Sequence, residues 1–284
     1  MHTKHKVVLV PTDFTEMGEY ATEHAIGICK HLQYTAHLLH VINRDTKSKL
    51  KKEKKTEDTV FQKLEHQVKH LLDTHGVKAD YSAVEGSIFS TIADVAENVD
   101  ANLIVMGTHG KIGMQQQLMG SFAFKVITSA PDPVIVVQKR KFGEGYKNII
   151  LPVDDSMESK QKVKWAVHIG KGFKSTVHLL GAYSSDEFVM RKIKGNVRQI
   201  SGLLADNHIE STETYAGSRG TMSRKVVKFA HENHADLIII MTKPDKSLHH
   251  YIVQPGDETV IFNEHKIPVM CVNPKNVHLN VVHF

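Results

Sequence analysis

The chain has 284 residues, too many for one average domain and enough for two that each bury a core. Apolar residues make up 41% and charged residues 24%, no run approaches a membrane span, and residues 1–6 lead toward a strand rather than a signal peptide's apolar stretch, so no membrane association is expected and the cytoplasm is the expected compartment. The net charge of +5 is spread out: residues 1–143 carry 18 Lys/Arg against 16 Asp/Glu, and residues 145–284 carry 18 against 14, which argues against a basic nucleic-acid-binding module.

In chain order, Val7–Val10 is a short apolar run that reads as a buried strand. Thr15 then suits the N-cap of a helix whose inner face is Ala21, Ala25, Ile28, Cys29 and Leu32. Cys29 and Cys271, one in each half, sit in apolar segments and read as small buried thiols of a reducing compartment. Ala36–Ile42 is a second strand. Residues 44–58 are polar, with six lysines between Lys47 and Lys55, and read as a solvated helix start rather than an anion patch. The following helix carries Val60, Phe61, Leu64, Val68, Leu71 and Leu72 on its expected inner face, and Gly76 stops it. Val77–Val84 is a third strand, Ile88, Ile92, Val95 and Ala96 mark a helix, and Leu103–Met106 is a fourth strand. A helix opened by Ser121 and a strand at Val134–Val137 close the series. Strands separated by helices predict a parallel sheet with right-handed crossovers and helices on both faces.

The series is written twice. Residues 6–13 recur at 147–154, an offset of 141, and the match continues through Ala25 with Ala166, Ile28 with Ile169, and residues 35–39 with residues 176–180. Further on, residues 101–104 match residues 235–238, and Pro133 with its apolar run matches Pro268 with its own. This is a tandem duplication, with domains at 1–143 and 144–284 and a connector over residues 139–146. The last strand of each unit is apolar on both faces. At a sheet edge it would invite pairing, so the chain is expected to cover it.

Directly after the fourth strand comes Gly107-Thr108-His109-Gly110, followed by Gly120-Ser121. A strand, a glycine-bearing loop and a helix start together make an anion site, because the backbone can approach a phosphate and the free N–H groups of the helix point at it. It is not a Walker A loop, since Ile112 follows Gly110-Lys111 where Ser or Thr would hold magnesium. No Gly-x-Gly-x-x-Gly follows the first strand, and no Ser-Gly-Gly-x-Asp-Ser loop follows either first strand. His231 and His234 are three residues apart, not the four of a His-Glu-x-x-His zinc motif; solvated surface histidines are the expected account.

The spacing Gly-x2-Gly-x9-Gly-Ser at 107–121 resembles the nucleotide signature of the universal stress protein family, and the likeness extends over nearly the whole chain. The resemblance implies two tandem open parallel-sheet α/β domains of strand order 3-2-1-4-5, adenine nucleotide α-hydrolase-like, with a ligand crevice where the order reverses. By similarity to ATP-binding members, Asp13 would lie near the adenosine with Pro11 and Thr12 beside it, and the Val41 backbone would contact adenine. Gly107, His109 and Gly110 would wrap ribose and phosphates, and Gly120, Ser121 and Phe122 would donate N–H groups to the phosphate chain. The implied ligand is ATP, or AMP or ADP in its place, with a magnesium or manganese ion held largely by the nucleotide. Asp13 equally suits a cap of the following helix, and Val41 a core position.

The second unit departs from the pattern, with Met241-Thr242-Lys243-Pro244 and Gln254-Pro255-Gly256-Asp257 in place of the glycine loop. A proline lacks the N–H a phosphate needs and Asp257 would repel it, so one nucleotide site is expected, in the first unit. The family likeness further implies an intramolecular pseudo-dimer, in which the two last strands run antiparallel and meet through Val134, Val136, Val269 and Cys271 or their alternate neighbours. It implies that this pair is free to form a homodimer, and that the protein is a stress-response regulator acting on an unidentified protein partner. A scaffold or chaperone-like protein of the same fold is the alternative. No residue pair is spaced as a general base with an orienting partner, so slow ATP hydrolysis is the most enzymatic activity expected.

Overall fold

A computed structural model describes residues 6–108, 123–245, 250–252 and 256–274. In the first unit, strands β1 (Val7–Pro11), β2 (Thr35–Ile42), β3 (Ala79–Glu85), β4 (Ala101–Gly107) and β5 (Val134–Val137) alternate with helices α1 (Glu16–Leu32), α2 (Arg44–Lys52), α3 (Asp58–His75), α4 (Ile88–Asn98) and α5, described over 123–129. The second unit has β6 (Asn148–Val153), a 3-10 turn at Glu158–Lys160, α6 (Val163–Phe173), β7 (Thr176–Gly181), α7 (Glu187–Asp206), β8 (Glu210–Tyr215), α8 (Met222–Glu232) and β9 (Leu237–Met241). A small antiparallel ribbon follows, β10 (Lys243–Asp245) with β11 (His250–Ile252), and then α9 (Asp257–Ile261) and β12 (Val269–Val272).

Local chemistry accounts for most boundaries. Thr15 is extended before α1, and Gly76 ends α3 at φ 67°, a left-handed conformation glycine adopts without strain. Helix α2 was not separable in the sequence, since Leu50 is the one apolar residue in Arg44–Lys52. Its cap supplies the reason it forms: the Asn43 side chain accepts from the Thr46 N–H at 2.9 Å. On α3 the inner face is Val60, Leu64 and Leu71, whereas Phe61 and Leu72 are 41% and 52% exposed, contrary to expectation. They sit one position off the 3.6-residue stripe, which turns them to its flanks.

Among the described residues ten strands form one sheet, ordered β3-β2-β1-β4-β5-β12-β9-β6-β7-β8. Each half has the expected 3-2-1-4-5 order, parallel throughout, and β5 meets β12 antiparallel with Val136 opposite Val269, Ile135 opposite Met270 and Val134 opposite Cys271. Both faces of this junction are buried. Val134, Val136, Val269 and Cys271 join the core under α4, α5, α8 and α9, while Ile135, Val137, Met270 and Val272 join the core under α1, α3, α6 and α7. Each core runs through both units without a break.

Amide side chains are exchanged across the junction. Gln138, just past β5, donates through Nε2 to the Ile261 and Asn263 carbonyls at 3.4 and 3.3 Å. Asn273, just past β12, donates through Nδ2 to the Ile127 and Ala130 carbonyls at 2.8 and 3.0 Å. Each unit thus satisfies the carbonyls at the end of the other unit's last helix.

The connector is packed rather than loose. Tyr146 is 1% exposed and its hydroxyl lies 2.9 Å from His24 Nδ1, while His24 Nε2 lies 3.0 Å from the Arg140 carbonyl. The Phe142 ring sits where a Cβ on Gly27 would be, 2.1 Å away, so α1 needs glycine there. Burial pushes the His24 pKa down to about 4, which keeps the ring neutral. His24 and His40, 1% and 6% exposed, are core histidines that the sequence did not single out. Buried imidazoles need two polar partners, and short-range sequence cannot show partners 116 and 122 residues away.

Candidate functional site

The strand order of the first unit reverses at β1, and a cavity of about 440 Å³ opens there, at the carboxyl ends of β1, β2 and β4. That volume falls within the few-hundred-Å³ range of small-molecule sites. Pro11, Thr12, Asp13, Val41 and Gly107 all line it, so five of the expected site residues converge. His109, Gly110, Gly120, Ser121 and Phe122 lie outside the described residues.

Gly107 has a steric role. A Cβ there would stand 2.2 Å from the Met17 carbonyl oxygen and 2.6 Å from its carbon, both backbone atoms. The first turn of α1 therefore rests directly on the end of β4. Asp13 forms a side-chain turn just before α1 rather than capping it: its Oδ1 accepts from the Thr15 N–H at 3.0 Å and the Thr15 hydroxyl at 2.6 Å. Thr12 is buried, and its Oγ1 accepts from the Phe14 N–H at 3.2 Å. Val41, 9% exposed, has a carbonyl that accepts from the Asn43 N–H at 3.0 Å and from the Thr46 hydroxyl at 3.4 Å.

Several lining residues were not anticipated. Phe14 adopts φ 60°, a strained conformation for an aromatic residue, and stacks on the His40 imidazole at 4.7 Å. Lys63 from α3 lies 5.1 Å over the Phe14 ring. Helix α2 contributes Asp45, Thr46, Lys49 and Leu50 to the wall, with Glu53 just past its end; the lysines of the stretch stay exposed, as expected, and Lys49 stands at the rim of the cavity. The pair Lys49-Leu50 was the available signal, an apolar residue beside a cation inside an otherwise polar run. Burial lowers the His40 pKa, opposed by its bond to the Thr12 carbonyl and by Asp13, and assisted by Lys63 and Lys49.

The second unit is built differently at the matching place. Met241 ends β9 where Gly107 ends β4, so its side chain denies the helix that close approach. Helix α6 accordingly starts at Val163, six residues later than the repeat offset from Glu16 would put it, and a 3-10 turn replaces the missing turns. Lys162, the repeat counterpart of Ala21, is 4% exposed and donates through Nζ to the Pro152 carbonyl, with Asp154 and Asp257 as its nearest opposing charges. An internal ammonium thus stands at the carboxyl end of β6, where the first unit is hollow.

Burial lowers the Lys162 pKa to about 8, against the pull of Asp154 and Asp257. The unfolded chain holds that proton more tightly, so the penalty is full below pH 8 and vanishes above the ordinary lysine value, a difference of about 3 kcal/mol. Relative to Lys162→Met, which shares every other titration, the wild type should gain about 2–3 kcal/mol of stability between pH 7 and pH 10. Urea unfolding of both proteins at the two pH values measures this, and a constant difference would refute it.

Comparison with known proteins matches this arrangement to one family. The model of the Universal stress protein family matches residues 4–138 and again residues 145–273. A universal stress protein of Methanocaldococcus jannaschii is 34% identical over 143 residues, covering 48% of this chain and 84% of its own length. A second from that organism is 30% identical over 160 residues, covering 49% and 99%. Among solved structures, a universal stress protein from Archaeoglobus fulgidus has a TM-score of 0.77 at 18% identity, covering 96% of this chain and all of that one. This last likeness is one of fold, and it extends over both units.

Proposed function

The chain belongs to the universal stress protein family, and from that premise we propose that its first unit binds one adenine nucleotide, ATP or in its place AMP or ADP, as a nucleotide-dependent regulator in the cytoplasm. The observation that carries this reading is the asymmetry of the two crevices. One is a cavity of about 440 Å³ bordered by Pro11, Thr12, Asp13, Val41 and Gly107; its counterpart holds the buried Lys162. The glycine loop and Ser121 would receive the phosphates by the anion-binding logic of a helix start. A magnesium or manganese ion would be held mainly by the phosphates themselves. No helix among the described residues is long and apolar enough to cross a membrane, in keeping with the proposed compartment.

Calorimetric titration with magnesium-ATP tests the proposal. One equivalent per chain is expected, and Gly120→Asp should abolish binding, because a carboxylate would stand where phosphate oxygens approach. Two equivalents per chain, or unchanged affinity in the variant, would refute it.

A further inference from the structure

Helix α2 differs from its neighbours in what its inner face meets. Asp45, Thr46, Lys49 and Leu50 fall at helical spacing on one stripe, and that stripe borders the cavity of about 440 Å³. Helices α1, α3, α6, α7 and α8 each bury part of their inner face, whereas α2 buries no residue fully. Its one apolar residue, Leu50, is half-buried. The side-chain bonds that fasten α2 gather in its first turn. Asn43 caps the Thr46 N–H, and the Thr46 hydroxyl donates to the Val41 carbonyl at 3.4 Å and lies 3.2 Å from His40 Nε2. Lys47 pairs with Glu85, but both side chains are exposed, and such a pair contributes little in water. Nine residues are too few for a helix to be stable unaided. With a hollow on its inner side, α2 therefore belongs at the low end of local stability. The second unit offers a comparison within the molecule. Only residues 182–186 separate β7 from α7, so the unit whose crevice holds Lys162 has no counterpart of this helix.

We infer that α2 is a lid on the cavity of the first unit: hinged at Asn43, it opens by itself, and a nucleotide that fills the space behind Leu50 holds it shut. Occupancy of the site is thereby converted into the order of a lysine-rich helix on the protein surface. The inference rests on the proposed nucleotide site and adds how the bound state differs from the free one. Filling the cavity gives Leu50 and the wall beside it the contact that the core gives every other helix named above, and a form that the ligand prefers gains population in proportion to occupancy.

The lysines make the helix its own reporter. The full chain is digested with a limiting amount of trypsin, free and with magnesium-ATP at about a hundred times the Kd found by calorimetry, and the cuts are mapped by mass spectrometry. The free protein should be cut within residues 47–55. Nucleotide should slow those cuts by about tenfold or more, toward the roughly hundredfold limit set when only the closed form binds, while cuts in the second unit keep their rate. Leu50→Ser, which removes the one apolar hold, should speed the cuts in the free protein and weaken ATP several-fold without moving the melting midpoint, because a segment that opens by itself adds nothing to global unfolding. A lowered midpoint with ATP affinity unchanged would mark α2 as a fixed part of the fold and overturn the lid. Equal cutting of free protein and of protein saturated by calorimetry also overturns it, while the nucleotide site stands. Absence of calorimetric binding overturns the nucleotide site and the lid with it.

Discussion

Replacing Gly107 by alanine is expected to lower stability by more than about 3 kcal/mol, at the severe end of overpacking, and to abolish nucleotide binding with it. Most glycine substitutions act through conformational freedom. This one acts through contact, because the new methyl carbon itself would lie 2.2 Å from a backbone oxygen of Met17. Relief requires moving either the end of β4 or the first turn of α1, and both border the cavity. For a chain of this size the midpoint temperature should drop by roughly 10 °C. Gly202→Ala is the control: it lies within α7, and a Cβ there meets nothing within 4 Å, so stability should hold or rise. A Gly107→Ala protein with wild-type melting and wild-type ATP affinity would show that the close approach is not needed.

The second large effect is expected at the junction. Val136 is fully buried between β4 and β12, opposite Val269. Val136→Lys would place an ammonium there with no carboxylate across from it, at an effective penalty of several kcal/mol. The side chain cannot reach water along a strand flanked on both sides, so the strand pairing itself must give way. The expected result is loss of a single cooperative melting transition, together with new protease cleavage within residues 138–147 as Phe142 and Tyr146 lose their places against α1. Limited proteolysis followed by mass mapping reads this directly. Resistance equal to wild type would mean that the two units hold together by other contacts.

The repeat was legible because it is carried by short apolar strands whose flanking residues are repeated too. Pro133 and Pro268 precede strands with no polar position, and such strands must be covered; that they cover each other was implied by the family likeness. The site was legible where it depends on backbone shape, at Gly107 and at the strand ends Pro11–Asp13. It was obscure where it depends on side chains arriving from elsewhere. Lys162 stands at the same repeat position as Ala21, but a lysine within a helical stretch ordinarily reads as solvent-facing, and only the delayed start of α6 turns it inward. His40 alternates with core residues on β2 and carries no mark of its bonds to Thr12 and Thr46. Helix α2 lacks the apolar periodicity on which pattern reading relies, so Leu50 beside Lys49 was the one hint of the wall it forms.

The packed connector has a consequence for dilution. Two separate subunits joined through edge strands obey mass action, and their shared sheet comes apart as the solution is thinned. Here the partners are tied by the few residues between Val137 and Asn148, themselves anchored through His24, Phe142 and Tyr146, so each meets the other at a fixed effective concentration, of millimolar order for a short tether. The β5–β12 pairing, and the cavity geometry that leans on it, should therefore be the same at nanomolar as at micromolar protein. That independence also releases the halves from having to be identical: Lys162 can occupy one crevice without occupying both, an arrangement closed to a pair of copies of a single unit.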